Sequence, residues 1–124
     1  MPKVVSTESA PAAIGPYSQA LVSANAVYVS GQLPIDPKTG QMPEKAADQA
    51  RQSLKNIQAI LEAAGSSLQK VLRVGIFMTD LAEFGAVNEV YATFFTKDFP
   101  ARSTVQVAAL PRGAQIEIEA VAEL

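Results

Sequence analysis

Apolar side chains recur along this chain with two different periods, and the periods separate helices from strands. Between Pro43 and Ala64, the residues Ala47, Ala50, Leu54, Ile57, Leu61 and Ala64 fall three or four positions apart. That spacing lines them up as one stripe along a helix. Pro43 suits the first turn, where its missing N–H leaves nothing unpaired. Gly65 suits the left-handed residue beyond the last turn. A second stripe, Leu81, Phe84, Val87, Tyr91 and Phe94 or Phe95, predicts a helix that Pro100 ends. Asp80, with Glu83 three residues on, has the form of a capping box at its start.

Strands follow from shorter runs. Val71 to Met78 is an apolar run, broken only by Arg73, rich in β-branched residues and bounded by turn signals, the pattern of a buried strand. Lys3–Ser6, Tyr17–Ser23, Ala26–Ser30, Ser103–Ala108 and Gln115–Ala122 complete the set. Ala24-Asn25 reads as a tight hairpin turn with Asn25 at positive φ. Ser9–Pro16 and Leu33–Gly40, with their prolines and glycines, read as loops, and Leu110-Pro111-Arg112-Gly113 separates the last two strands. The order β-β-β-α-β-α-β-β predicts an α/β two-layer sandwich, a mixed sheet with two helices on one face, as a single domain over residues 1–124. The other face keeps Val105, Val107 and Val121. In a chain of 124 residues, oligomerisation is the simple way to cover it.

Composition then narrows the chemistry. The chain has no histidine, cysteine or tryptophan. Disulfides, thiolate nucleophiles and Cys-based metal sites are excluded. So are the commonest metal ligand and the usual base near neutral pH. Catalysis without metal or cofactor is the expectation. Net charge is −2, and the ten basic residues form no run or stripe. Nucleic-acid binders concentrate such residues on one face. Met1–Ser6 lacks the apolar run of a signal peptide, and no segment has the length of a membrane span, so a cytoplasmic protein without nucleic-acid or membrane partners is expected.

The candidate chemistry sits on a few side chains. Pro100-Ala101-Arg102-Ser103-Thr104 places an arginine at a stiff strand start. A guanidinium is a permanently charged fork that grips a carboxylate through two parallel hydrogen bonds. The alternative is a surface arginine paired with a neighbouring acid. Glu117 and Glu119 alternate with Ile116 and Ile118, so both face away from the isoleucines. They form a solvated strand face, or, in a subunit interface, one of them is buried near Arg102 and orients a water. Tyr17 leaves the Gly15-Pro16 turn and suits a pocket wall or the core. Ser30-Gly31-Gln32 ends a strand, where glycine allows close approach of a ligand or simply a turn. Asn88 lies beside the second apolar stripe, as a boundary residue or a ligand.

Four segments stand in order along the chain: Ala13-Ile14-Gly15-Pro16-Tyr17-Ser18-Gln19-Ala20, Val29-Ser30-Gly31-Gln32-Leu33-Pro34, Val87-Asn88-Glu89-Val90-Tyr91, and Pro100-Ala101-Arg102-Ser103 through Ile116-Glu117-Ile118-Glu119-Ala120. Together they resemble the RidA (YjgF) family of reactive-intermediate deaminases. The resemblance implies a chorismate-mutase-like fold and a homotrimer whose sheets form a central barrel, with active sites in the clefts between subunits. It implies hydrolysis of 2-imino acids and their enamine tautomers, such as 2-aminoacrylate and 2-aminocrotonate, to 2-keto acids and ammonia.

By the same resemblance Arg102 holds the substrate carboxylate, helped by the backbone of Thr104 and Gly31. Tyr17 lines the pocket from the neighbouring subunit, and Glu117 orients or deprotonates the attacking water. Ser30 and Asn88 are peripheral. Many relatives carry cysteine where this chain has Thr104. The competing readings are a non-enzymatic binder or sensor of small 2-keto acids using the same Arg102 clamp, a chaperone-like holding activity, and a ribonuclease or translation inhibitor. The missing histidine and scattered basic residues argue against the last.

Overall fold

A computed structural model describes all 124 residues. The strands are β1 (Lys3–Val5), β2 (Ala20–Ser23), β3 (Ala26–Gln32), β4 (Val71–Met78), β5 (Ala101–Gln106) and β6 (Ile116–Glu123), and the helices are α1 (Ala46–Ala63) and α2 (Phe84–Phe94). Their order along the chain is the expected one. All six strands join one mixed sheet, β1-β2-β3-β6-β4-β5, antiparallel except for β4 and β5. Parallel neighbours need a connection that crosses a sheet face, and α2 supplies it. The last strand enters the middle of the sheet, between β3 and β4.

Both helices pack on one face. Leu54, Ile57, Ile60 and Leu61 of α1 and Val87, Val90 and Tyr91 of α2 bury against Val27, Val29, Val74, Ile76, Met78, Ile116 and Ile118. Each large aliphatic side chain buried this way contributes about 1.5–3 kcal/mol. The other face is left with an apolar row in register across four strands: Val4, Leu21, Tyr28 and Val121. Phe77 and Val105 form a second apolar pair on it. The half-apolar second face expected from the sequence is therefore present.

Several boundaries differ from the sequence pattern. Helix α1 begins at Ala46, and Pro43 lies upstream, its carbonyl accepting a hydrogen bond from Gln49 Nε2 at 2.8 Å. Gly65 has the expected positive φ of 87°, with the Ser66 N–H returning to the Leu61 carbonyl. Strand β2 starts at Ala20, because Tyr17 to Gln19 belong to the preceding loop. In the β2–β3 turn the positive φ falls on Ala24, at 52°, and not on Asn25. Asp80 caps a single 3-10 turn, Leu81–Glu83, rather than α2 itself, its carboxylate accepting from the Ala82 N–H at 2.9 Å. Leu81 is consequently exposed. Strand β5 stops at Gln106, so Val107 lies beyond it.

Candidate functional site

Six of the seven candidate residues divide between two clefts on opposite faces of the sheet, and Thr104 lines neither. The first is a cavity of about 530 Å³ at the end of β3 and β6. It is lined by Tyr17, Ser30, Gly31 and Glu117, together with Ile14, Leu33 and Arg112 among others. The second, about 420 Å³, lies between α2 and the start of β5 and is lined by Asn88, Tyr91, Phe99, Pro100 and Arg102. Thr104 follows Arg102 by two residues on the same face of β5.

The strand that returns after β5 does not bring a carboxylate to Arg102. Strand β4 separates β5 from β6. Arg102 is level with buried Val74, on the helix side, whereas Glu117 is level with Phe77, on the open side. Two strand spacings amount to about 9.5 Å and three residues along a strand to about 10 Å. Within one chain the two side chains cannot touch the same small acid.

Each cleft has a definite construction. Glu117 lies over Gly31: a Cβ on Gly31 would come 2.9 Å from Glu117 Cδ. Glu119 lies in the same way over Gly75 of β4, 2.9 Å from Oε2 to a Cβ there. Burial pushes the Glu117 carboxyl above the usual carboxylate range, and the nearby Glu119 carboxylate pushes the same way. No ion pair ties up either Glu117 or Arg102; the one salt bridge of the chain joins Arg51 and Asp48 at 2.8 Å. Arg102 instead sits 4.6 Å from the Tyr91 ring centroid and 5.5 Å from that of Phe84.

Ser30 has a local task. Its hydroxyl donates to the Ser18 carbonyl at 2.6 Å and its N–H donates to the Gln19 carbonyl, which pins the loop carrying Tyr17. Tyr17 itself is 52% exposed, so it is a cavity wall and not core. The hydroxyl of Thr104 is buried with no hydrogen-bond partner. Asn88 shares the Arg102 cleft.

Two supporting sets were missed from sequence. Gln19 is buried, and its amide accepts from the Thr7 N–H and donates to the carbonyls of Thr7 and Pro11, which fixes the same loop. On α1, Ser53 donates to the Gln32 carbonyl, and Asn56 donates to those of Leu33 and Ile35. These bonds hold the back wall of the first cavity. Gln49, Ser53 and Asn56 are spaced by four and three, so a polar stripe flanking the apolar one was visible as a signal.

Fold and clefts together define an α/β protein with a mixed sheet, helices on one face and a cleft on each side of the sheet. Residues 7–124 match the family model described as Endoribonuclease L-PSP. The chain is 50% identical over 125 residues to the 2-iminobutanoate/2-iminopropanoate deaminase of Escherichia coli (strain K12), covering 98% of each. It is 50% identical over 121 residues to the deaminase of the same name from Mus musculus, covering 97% of this chain and 90% of that one. The crystal structure of E. coli TdcF with bound serine matches with a TM-score of 0.95 at 46% identity, over 98% of both chains. The chain belongs to the RidA (YjgF) family.

Proposed function

We propose that this protein is a 2-imino acid deaminase that hydrolyses 2-imino acids and their enamine tautomers, 2-aminoacrylate and 2-aminocrotonate among them, to 2-keto acids and ammonia. Its site is built from Arg102 of one protomer and Glu117, Tyr17 and Gly31 of the next in a homotrimer. The deaminase names of the relatives support the reaction. The observation that carries the site is the separation of Arg102 and Glu117. Each lines an open cleft and takes part in no ion pair, and the two lie on opposite faces of one sheet. Each protomer thus holds half of a site, and a second copy supplies the other half. The apolar row on the open face gives that copy a surface to bury.

The chemistry needs little more. Arg102 fixes the substrate carboxylate by a two-point contact. A water attacks the electrophilic carbon of the protonated imine while Glu117 accepts its proton; the C–O bond forms and the C=N π pair moves to nitrogen. Glu117 then returns that proton to nitrogen; an oxygen lone pair forms the C=O bond as the C–N bond breaks, and the hydroxyl proton passes to the departing ammonia, which leaves as ammonium beside the 2-keto acid. Orientation of this kind is worth up to about 7–11 kcal/mol. General-base help adds roughly 10²–10⁴-fold.

The test couples the protein to a threonine or serine dehydratase and follows the decay of enamine absorbance. Wild type should accelerate it, and Arg102→Ala and Glu117→Gln should not. Unfolding and refolding the two inactive variants together at equal amounts should restore about a quarter of the wild-type sites, because a site needs one intact half from each of two neighbours. No recovery in a properly assembled mixture overturns the shared site. Equal acceleration by wild type and Arg102→Ala overturns the clamp. Keto-acid binding without any turnover favours the sensor reading.

A further inference from the structure

We propose that Tyr91, together with Phe84, is a positioning residue that holds the Arg102 guanidinium ready for a two-point contact with a carboxylate; the inference rests on the reading of Arg102 as the substrate clamp. Phe84 and Tyr91 are seven residues apart on α2, two helical turns, so they share one face. The guanidinium carbon lies over both rings, 4.6 Å from the Tyr91 centroid and 5.5 Å from that of Phe84. Tyr91 in turn packs on Phe95, with centroids 4.7 Å apart and planes 36° from parallel. Strand β5 therefore runs past an aromatic wall, and the head of Arg102 rests on it.

The choice of partner has a chemical meaning. A carboxylate beside Arg102 would neutralise its charge and occupy the N–H edge that a substrate needs. An aromatic ring attracts the cation through its π face. The in-plane donors stay free. A long arginine held in this way also loses less rotamer freedom when a ligand arrives, which favours binding. Burial holds the Tyr91 phenol above its ordinary range, against the opposing pull of Arg102, so no phenolate competes for the guanidinium at neutral pH.

A second feature separates the ring from its hydroxyl. The Tyr91 hydroxyl is buried without a hydrogen-bond partner. An unpaired buried hydroxyl does not stabilise the fold. The ring is the part that acts on Arg102, and the hydroxyl is dispensable for that task.

The test measures binding of 2-oxobutanoate by titration calorimetry, and enamine turnover, for the assembled wild type, Tyr91→Phe, Tyr91→Leu, Phe84→Leu and Arg102→Ala. Tyr91→Phe should bind within about twofold of wild type. Tyr91→Leu and Phe84→Leu should each bind about 3- to 20-fold more weakly, with KM rising by more than kcat falls. A purely structural role would lower the melting temperature of Tyr91→Leu and leave KM unchanged in the folded fraction. Should Tyr91→Leu fail to fold, Phe84→Leu at its half-buried position decides the matter. Wild-type affinity in the folded leucine variants, with binding lost in Arg102→Ala, overturns the positioning role and leaves the clamp standing. Wild-type affinity in Arg102→Ala overturns the clamp and the positioning role with it.

Discussion

The Glu117 carboxylate rests on the α-carbon of Gly31, where a Cβ would stand 2.9 Å from Glu117 Cδ. The obstacle is the end of a flexible side chain, so the backbone of β3 need not move. Gly31→Ala should keep the fold to within about 1 kcal/mol and displace Glu117, lowering kcat by roughly 10- to 100-fold. Gly75→Ala provides the control. It should push Glu119 aside by the same steric means without a comparable loss in kcat. Melting curves beside enamine kinetics separate the two; equal kcat losses would show that Glu117 has no special place.

Arg102→Lys retains the charge and removes the planar fork. An ammonium cannot make the paired in-plane contacts or rest as flatly on Tyr91. We expect kcat/KM to fall about 100-fold, with contributions from both constants. Steady-state kinetics with the dehydratase-coupled assay measure this directly, and near-normal activity would remove the clamp from the mechanism.

The pH dependence of rate and of stability should run in opposite directions. Glu117 acts as a base only when deprotonated, so kcat/KM should climb with pH through its raised pKa and then level off. Glu117→Gln should abolish that limb. In the fold this carboxyl holds its proton more tightly than in the unfolded chain. Its contribution to stability is therefore fully present below the unfolded pKa and lost as pH rises through the folded one. Glu117→Gln, neutral at every pH, should melt above wild type near pH 7 and level with it in acid. Melting curves taken across that range check the sign.

Ala24 occupies the β2–β3 turn with φ of 52°. A side-chain Cβ makes that region unfavourable, and glycine enters it freely. Ala24→Gly should stabilise the protein by about 0.5–1 kcal/mol without touching catalysis. Chemical denaturation measures it. A lower midpoint would mean that the glycine's extra freedom in the unfolded chain outweighs the relief in the turn.

The sequence pattern made the elements legible because each has a strong period. Leu54, Ile57 and Leu61 recur at helical spacing, and the apolar run Val71–Met78 coincides with β4 from end to end. What the pattern could not carry was lateral order. Nothing local tells β6 to enter between β3 and β4, since that depends on which apolar faces fit across the whole sheet. The placement of Arg102 relative to Glu117 was hidden for the same reason. The alternation of Ile116, Glu117, Ile118 and Glu119 did reveal which way the glutamates face. The task of Ser30 was hidden because it depends on a loop carbonyl twelve residues away, at Ser18.

The division of the clefts between two faces of one sheet has a genetic consequence. In the proposed trimer every subunit lends Arg102 to one site and Glu117 to another. A subunit defective in both would silence two of the three sites in any assembly it joined, even beside two sound partners. Such an allele would behave as dominant, and its effect would grow with its share of the expressed chains rather than with simple loss of one gene copy.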